Sequence, residues 1–177
     1  SFCEDRLGHV WIGTLRGVNK CVGRQFQQYF CSDDDSTSIP DNQIRRVFKD
    51  SKNRLWVCTS DGICYLTDKD AFHRVPIEWT NKNAIDIMED SRGHIFINLV
   101  PSIFVYDEQK DRFVLAIPNA NTEKSFSNTC FVDSKDNIWS IGLGHVNCFQ
   151  QGTYKELKSI KTESYIQTSF MDPQSRL

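Results

Sequence analysis

A repeated motif constrains the fold of this 177-residue chain more than any other feature of the sequence. The stretch GHVWIGTLRGV at residues 8–18 returns as NRLWVCTSDGI at 53–63, then in weaker copies as GHIFINLVPSI at 93–103 and DNIWSIGLGHV at 136–146. An acidic turn precedes each copy, and its aspartate recurs 39 to 45 residues apart. Repeats of this length with strand-type sequence are typical of β-propeller blades. The turn aspartates are Asp5, Asp50, Asp90, Asp133 and, in a fifth turn, Asp172.

Each repeat divides into four short apolar runs. In the clearest repeat they span 42–50, 55–59, 63–67 and 71–77, and Asp, Asn, Gly or Ser bounds each run, as in β-hairpins. No window carries the sustained apolar stripe of a helix. We therefore predict an all-β chain, a β-propeller fragment of about four blades of four antiparallel strands. This single partial propeller, 1–177, divides into units 1–30, 42–77, 83–117 and 125–157, with the first strand of a further blade at 164–172.

The sequence leaves two arrangements of these blades open. The beginning of the chain, SFCED, is equivalent in phase to SFMDP at 169–173. If the strand at 164–172 pairs with the strand at 10–14, four blades close into a small ring. We expect instead an open arc of a larger ring, because the chain starts and stops inside equivalent strands.

One aromatic position in each repeat is expected to fill the space between neighbouring sheets. A four-stranded sheet has two apolar faces, and stacking the sheets side by side buries both. Truncating such a ring costs roughly 3 kcal/mol or more. The aspartate of each turn can accept a hydrogen bond from the backbone two residues on. The aromatic residues at this position are Trp11, Trp56, Phe96 and Trp139.

Composition and motifs argue against several classes of function. The formal net charge of −2 provides no basic field, so no nucleic-acid partner is expected for this chain. The seven cysteines are odd in number and lack zinc-type spacing. We expect them to be small buried residues, with one or two disulfides left open. No hydrolase, metalloprotease or P-loop motif occurs, so no catalytic residue, metal or cofactor is predicted.

A ligand site is expected at the mouth of the propeller channel. The loops into the innermost strands and the hairpins between second and third strands build this face. A sugar site needs an aromatic platform with amide and guanidinium partners. Trp79 is the one tryptophan outside the repeated position, so it is either such a platform or the cover of a blade edge. The candidate ligand-binding residues are Trp79, Arg16, Gln43, Asp61, Asn83, Asn128 and His145.

The repeats resemble the two-component regulator propeller family. The resemblance rests on VWIGTLRGV followed by Phe26 and Tyr29, and on STSIPDNQIRRVFKDSKNRLWVCTSDGI at 36–63. The third unit departs from the pattern with Phe96 in place of tryptophan, and the fourth keeps Trp139 but shifts its glycines. The resemblance covers essentially the whole chain.

This resemblance implies a function that composition cannot supply. In this family the repeats form paired seven-bladed propellers in the periplasmic sensor region of hybrid two-component sensor histidine kinases, so the chain is expected to be an arc of a seven-bladed propeller. Such sensors respond to glycan fragments and control polysaccharide-utilisation genes. The parent is expected to be an inner-membrane-anchored homodimer that carries its kinase elsewhere, so this chain is not expected to be an enzyme. The expected partners are an oligosaccharide or other small molecule, and the remaining blades and periplasmic domains.

Two other functions remain open on the same fold. One is a propeller that only binds other proteins. The other is a propeller lyase, which needs a catalytic histidine and an acid at the channel mouth, usually with a metal ion. His145 is the only histidine expected at that mouth.

Overall fold

The computed structural model describes residues 1–120, 129–142 and 144–162, and within these ranges the chain forms sixteen strands and no helix. The strands build four sheets of four. Sheet one contains β1–β4, at Phe2–Glu4, Val10–Thr14, Gly17–Val22 and Gln25–Tyr29; sheet two contains β5–β8, at Ile44–Lys49, Leu55–Thr59, Gly62–Leu66 and Phe72–Arg74. Sheet three contains β9–β12, at Asp86–Glu89, Ile95–Leu99, Ser102–Asp107 and Arg112–Ile117; sheet four contains β13–β16, at Thr129–Val132, Ile138–Gly142, His145–Phe149 and Glu156–Lys161.

Every sheet is an antiparallel meander whose strands follow the order of the chain. The first strands of consecutive sheets pack against one another, β1 on β5, β5 on β9 and β9 on β13. The last strand of sheet four is exposed along its whole length. Sheets whose first strands meet in the order of the chain are arranged around an axis, as propeller blades are. The predicted all-β propeller fragment is confirmed.

Three clusters of buried side chains fill the spaces between consecutive sheets. Fully burying a side chain such as valine, leucine or phenylalanine contributes about 1.5–3 kcal/mol, so these clusters hold the sheets together. The cluster between sheets one and two includes Trp11, Val47, Leu55, Val57 and Phe72. The next includes Trp56, Ile87, Ile95, Phe104 and Phe113, and the third includes Met88, Phe96, Cys130, Ile138 and Phe149.

Two strands differ from the runs that the sequence predicts. The strand expected over 71–77 ends at Arg74, because Pro76 cannot donate to a strand ladder. The fourth unit is predicted to end at residue 157, but the last strand of sheet four runs Glu156–Lys161. Tyr154 has a left-handed backbone with φ of 54°, which belongs to the preceding turn and delays the start of the strand. The strand expected at 164–172 lies outside the described residues.

The pairing of β2 bears on closure of the ring. β1 pairs with β2 from Phe2 opposite Ile12 to Glu4 opposite Val10, and the amide of Gly13 donates to the carbonyl of Ser1. The other edge of β2 pairs with β3 over all five residues. Both edges of β2 are therefore occupied, and the four-bladed closure through strand 10–14 that the sequence left open has no free edge to use.

None of the seven cysteines forms a disulfide, and four of them are buried. Within the described residues there is no helix with the length and apolarity needed to cross a membrane.

Candidate functional site

Because consecutive strands run in opposite directions, the hairpins and loops of the four sheets lie at two opposite ends of the fold. We call the upper face the end that carries the β2–β3, β6–β7, β10–β11 and β14–β15 hairpins and the loops into β5, β9 and β13. The lower face is the opposite end, where the aspartate turns join the first strand of each sheet to the second. Because these two ends carry different residues of the repeat, their chemistry can be compared directly.

The lower face is occupied by a repeated hydrogen-bond unit. The indole Nε1 of Trp56 donates to Oδ2 of Asp50 at 2.8 Å, and the backbone amide and Nε of Arg54 donate to the same carboxylate at 2.8 and 2.6 Å. The indoles of Trp11 and Trp139 make the same bond, at 2.9 Å, to Asp5 and Asp133. The tryptophan thus links the turn to the space between sheets.

These bonds lower the pKa values of two turn carboxylates, Asp5 and Asp133. Burial alone raises the pKa of Asp5, but donation from the Trp11 indole, from two backbone amides and from His9 lowers it to about 2. The pKa of Asp133 is also lowered, since burial is outweighed by bonds from Trp139 and Asn137. Asp5 and Asp133 are therefore ionised acceptors committed to structure, and they are poor candidates for acid–base chemistry.

The third repeat replaces the indole donor with a side chain from the next sheet. Phe96 is buried but has no N–H, and Nε2 of Gln151 donates to Oδ2 of Asp90 at 3.1 Å instead. Nδ1 of His94 lies 2.7 Å from the same oxygen. Because Gln151 lies in the β15–β16 turn, this bond also ties sheet four to sheet three.

The described candidate ligand residues all lie at the upper face, but on different sheets. Arg16 is exposed in the β2–β3 turn, and His145 begins β15 and is half-buried. Oε1 of Gln43 accepts from Ser60, next to Asp61, at 3.2 Å, and Oδ1 of Asn83 accepts from Nε of Arg45 at 3.2 Å. Asn128 and the turn residue Asp172 lie outside the described residues.

Trp79 is placed as the cover of a junction between sheets. Its ring meets Phe104 edge-on with centroids 5.3 Å apart, and it packs against the cluster between sheets two and three. It is nevertheless half-buried rather than enclosed. Its ring is therefore held in place, with part of its surface left open to solvent.

One cleft on the upper face brings unpaired charges together. This upper cleft has a volume of about 250 Å³ and is lined by Pro40, Asp61, Arg74, Pro76, Ile77 and Lys82, among others. Asp61 and Lys82 are exposed, and no described residue forms an ion pair with either side chain. The cleft therefore combines the carboxylate of Asp61 as a hydrogen-bond acceptor, the ammonium group of Lys82 as a donor, and apolar walls formed by Pro40 and Pro76.

The floor of the upper cleft is rigid because Arg74 is held by a backbone loop. Its Nε donates to the carbonyl of Ser38 at 2.9 Å, and its Nη2 donates to Oγ of Ser38 at 2.8 Å. Nη2 also approaches the carbonyls of Asp35 and Ile39 at 3.3 and 3.2 Å. A guanidinium with this many fixed acceptors loses little further freedom when a ligand binds.

Sequence reasoning found Asp61 but missed Lys82 and Arg74. Lys82 directly precedes Asn83, so its place in the loop into β9 was available from the same argument that selected Asn83. Arg74 sits on the last strand of sheet two and carried no signal, because its role depends on the fold of residues 32–39.

A second cleft, on the lower face, is larger at about 450 Å³ but less suited to a ligand. Several of its charges are already paired: Nη2 of Arg54 donates to Glu108 at 3.1 Å, and Lys52 donates to the same carboxylate at 2.5 Å. Nζ of Lys110 pairs with Asp107 at 3.1 Å. A ligand would have to displace these pairs, so the upper cleft is the better candidate despite its size. Among the described residues, no group of three or more His, Cys, Asp or Glu is placed to hold a metal ion.

Comparison with known proteins supports the resemblance seen in the repeats. Residues 38–61 match the family model described as two component regulator propeller, which confirms the resemblance for the repeat that contains Trp56. No curated protein sequence matches the chain.

Solved structures share the fold at low sequence identity. The extracellular domain of a hybrid two-component system from B. thetaiotaomicron matches with a TM-score of 0.74 at 19% identity, over 90% of this chain and 23% of that chain. The extracellular domain of a one-component system from the same bacterium gives 0.56 at 17% identity, over 93% and 31%. Virginiamycin B lyase from Staphylococcus aureus gives 0.72 at 13% identity, over 92% and 55%. At these identities the likeness establishes the propeller fold, and this chain spans less than a quarter of the first of these structures.

Proposed function

Because residues 38–61 carry a two-component regulator propeller repeat, we propose that the chain is part of the ligand-sensing region of a hybrid two-component sensor histidine kinase and response regulator. The region lies in the periplasm, and the parent is anchored in the inner membrane and works as a homodimer. Its ligand is a glycan fragment, and its output is control of polysaccharide-utilisation genes. The chain itself performs no catalysis.

The observation that carries this proposal is the upper cleft with its unpaired Asp61 and Lys82. A saccharide unit offers hydroxyl groups that both donate and accept, so one carboxylate and one ammonium group can bind it from two sides. The apolar walls at Pro40 and Pro76 suit the C–H faces of a sugar ring. The volume of about 250 Å³ suits one small unit of a longer chain.

The mechanism is a shift between conformations rather than a reaction. Asp61 lies in a hairpin of sheet two, and Lys82 lies in the loop that leads to sheet three. A ligand held by both side chains favours one arrangement of this loop and hairpin. A ligand moves an equilibrium only by its differential affinity for the two states, and couplings of about 1–3 kcal/mol are typical.

Isothermal titration calorimetry tests the proposal. The chain is titrated with a panel of oligosaccharides from plant and host polysaccharides, and at least one class is expected to bind. Asp61→Asn and Lys82→Met should each weaken that binding by at least fivefold, because each removes a charged partner. Arg16→Met is the matched control, since Arg16 is an exposed upper-face cation outside the cleft. Equal binding by Lys82→Met and wild type, or no binding by any saccharide, contradicts the proposal.

The lyase alternative makes a different prediction in the same samples. If the chain were a lyase, it would convert bound oligosaccharide to an unsaturated product that absorbs ultraviolet light. His145→Ala would abolish this conversion. We expect the oligosaccharide to be recovered unchanged after prolonged incubation with the wild-type chain. A pure protein-interaction propeller would bind no member of the panel.

A further inference from the structure

The upper cleft carries more positive than negative charge. Its lining includes two cations, Arg74 and Lys82, and one carboxylate, Asp61. The ion pairs formed among the described residues involve none of these three side chains. Two positive charges against one negative charge leave the cleft with a net positive charge, which a bound anionic group would balance.

The guanidinium group of Arg74 is held in place without an ion pair. Its Nε and Nη2 donate to carbonyl and hydroxyl oxygens of residues 32–39, which carry no formal charge. Asp35 lies in this loop, but its carboxylate accepts from the amide and the hydroxyl group of Thr37 at 2.8 and 2.6 Å. A half-buried guanidinium group that is bonded to neutral oxygens retains its attraction for an anion.

One nitrogen atom of Arg74 is left to meet a ligand. Nε and Nη2 bond to the loop at 32–39, whereas Nη1 donates to no described residue. Because the guanidinium group is planar and rigid, fixing Nε and Nη2 also fixes the direction of the Nη1 hydrogens. Lys82 lines the same cleft, and its flexible stem lets the ammonium group move toward a ligand. One fixed and one adaptable cationic donor can therefore meet the same anionic group.

Among the four described sheets, only sheet two has a cation at the position of Arg74. Strand pairing makes three uncharged residues of the other sheets equivalent to it: Gln28, Leu115 and Ser159. A side chain that every blade needs recurs in the repeats, as the turn aspartate does. The charge of Arg74 is therefore not required by the blade architecture, and its bonds to the loop at 32–39 account for Nε and Nη2 but not for Nη1.

We propose that the sugar unit held in the upper cleft carries a carboxylate and is a uronic acid. This inference rests on the proposed function, because it names the class of sugar for the same site. The carboxylate accepts from Nη1 of Arg74 and from Nζ of Lys82, and such charge-assisted bonds are roughly twice as strong as neutral ones. Asp61 accepts from ring hydroxyl groups and repels the carboxylate from its own side of the cleft, which fixes the orientation of the ring.

Carboxyl reduction provides a matched test, because it converts each uronic acid to the neutral sugar with the same stereochemistry and linkage. Calorimetry compares oligosaccharides of polygalacturonate, glucuronoxylan and hyaluronan with their carboxyl-reduced forms, and with sulfated galactan oligosaccharides. The best ligand is expected to be a uronate, and its reduction should weaken binding at least tenfold. Best binding by a neutral or a sulfated oligosaccharide, or equal binding before and after reduction, overturns this inference but leaves the proposed function in place. Binding by no oligosaccharide contradicts both.

Variants of Lys82 test whether the upper cleft makes this selection. The quantity measured is the ratio of the affinities for the acidic ligand and for its reduced form. Lys82→Met should lower this ratio at least fivefold, and Lys82→Arg should preserve it. Arg24→Met is the control, since Arg24 is an exposed cation in the β3–β4 turn on the lower face, and it should keep the wild-type ratio. A ratio that is unchanged in Lys82→Met, or that falls equally in Arg24→Met, contradicts the proposal.

Discussion

At the scale of single residues, the most informative feature is the bond between an indole and a turn aspartate. The bond occurs in the first, second and fourth repeats at 2.8–2.9 Å, and in the third repeat Gln151 donates in its place. A buried carboxylate that loses a donor keeps its desolvation cost, which is about 1–3 kcal/mol or more. Where tryptophan occupies this position, it contributes its N–H as well as its size.

Trp56→Phe should lower the free energy of unfolding because it removes the donor to Asp50 along with ring volume. Trp79→Phe removes the same atoms from a half-buried ring whose contact in the structure is the Phe104 ring. The difference between the two variants should be about 1.5–3 kcal/mol, the net contribution of one hydrogen bond to a charged group, because Arg54 still donates to Asp50. Urea unfolding measures it, and equal losses in both variants would show that the indole bond contributes nothing.

Acid should weaken the fold through these same aspartates. The folded-state pKa of Asp5, about 2, lies below its ordinary value of 3.8, so its ionised form favours the folded state. This contribution is complete above the ordinary value and is lost as the pH falls toward 2. The urea midpoint should therefore drop between about pH 5 and pH 2, and less steeply in Trp11→Phe. A midpoint that is flat over this interval would refute the assignment.

At the scale of elements, the close approach of sheets one and two depends on Gly13. A Cβ at this position would lie 2.5 Å from Cγ2 of Ile44 and 3.1 Å from Cγ2 of Val47. Gly13→Ala should force the two sheets apart and destabilise the chain by about 1–3 kcal/mol. Leu15→Ala, in the exposed turn that follows, should change stability by less than about 0.5 kcal/mol. Thermal unfolding of both variants checks this, and a stable Gly13→Ala protein would mean that the sheets pack less closely.

The bond from Gln151 to Asp90 joins sheets three and four. Gln151→Ala should cost about 1 kcal/mol and speed amide exchange in the turn at 90–94. Gln150→Ala changes the neighbouring residue of the same turn and should leave that exchange unchanged. Hydrogen exchange read at single amides separates the two, and identical profiles would remove Gln151 from the contact between sheets.

The elements that sequence predicted best are those with a local signal. β2 and β6 begin and end as expected, because each is a short β-forming run between turn residues. β16 was placed too early, because its residues are all exposed and carry no apolar pattern. The upper cleft was found only at Asp61, since Arg74 and Lys82 meet there through contacts between segments that are far apart in sequence.

At the scale of the whole molecule, the upper and lower faces of the fold differ in their chemistry. The lower face holds structural carboxylates and paired charges, and the upper face holds a cleft with unpaired charges. The same division explains why repeated residues predicted the architecture, while each candidate ligand residue had to be identified separately. A residue that recurs in every repeat indicates a role in the structure of every sheet. Residues of a single candidate ligand site have no such repetition to mark them.

The most direct test of the proposed function is a nuclear magnetic resonance titration of the ¹⁵N-labelled chain with the oligosaccharide that binds best by calorimetry. The account predicts chemical-shift changes at residues 60–63 and 74–83, around the upper cleft, and unchanged amides in the lower-face turns at 5–9, 50–54 and 90–94. Shifts confined to the lower face, or spread evenly over the chain, would contradict a ligand site at the upper cleft.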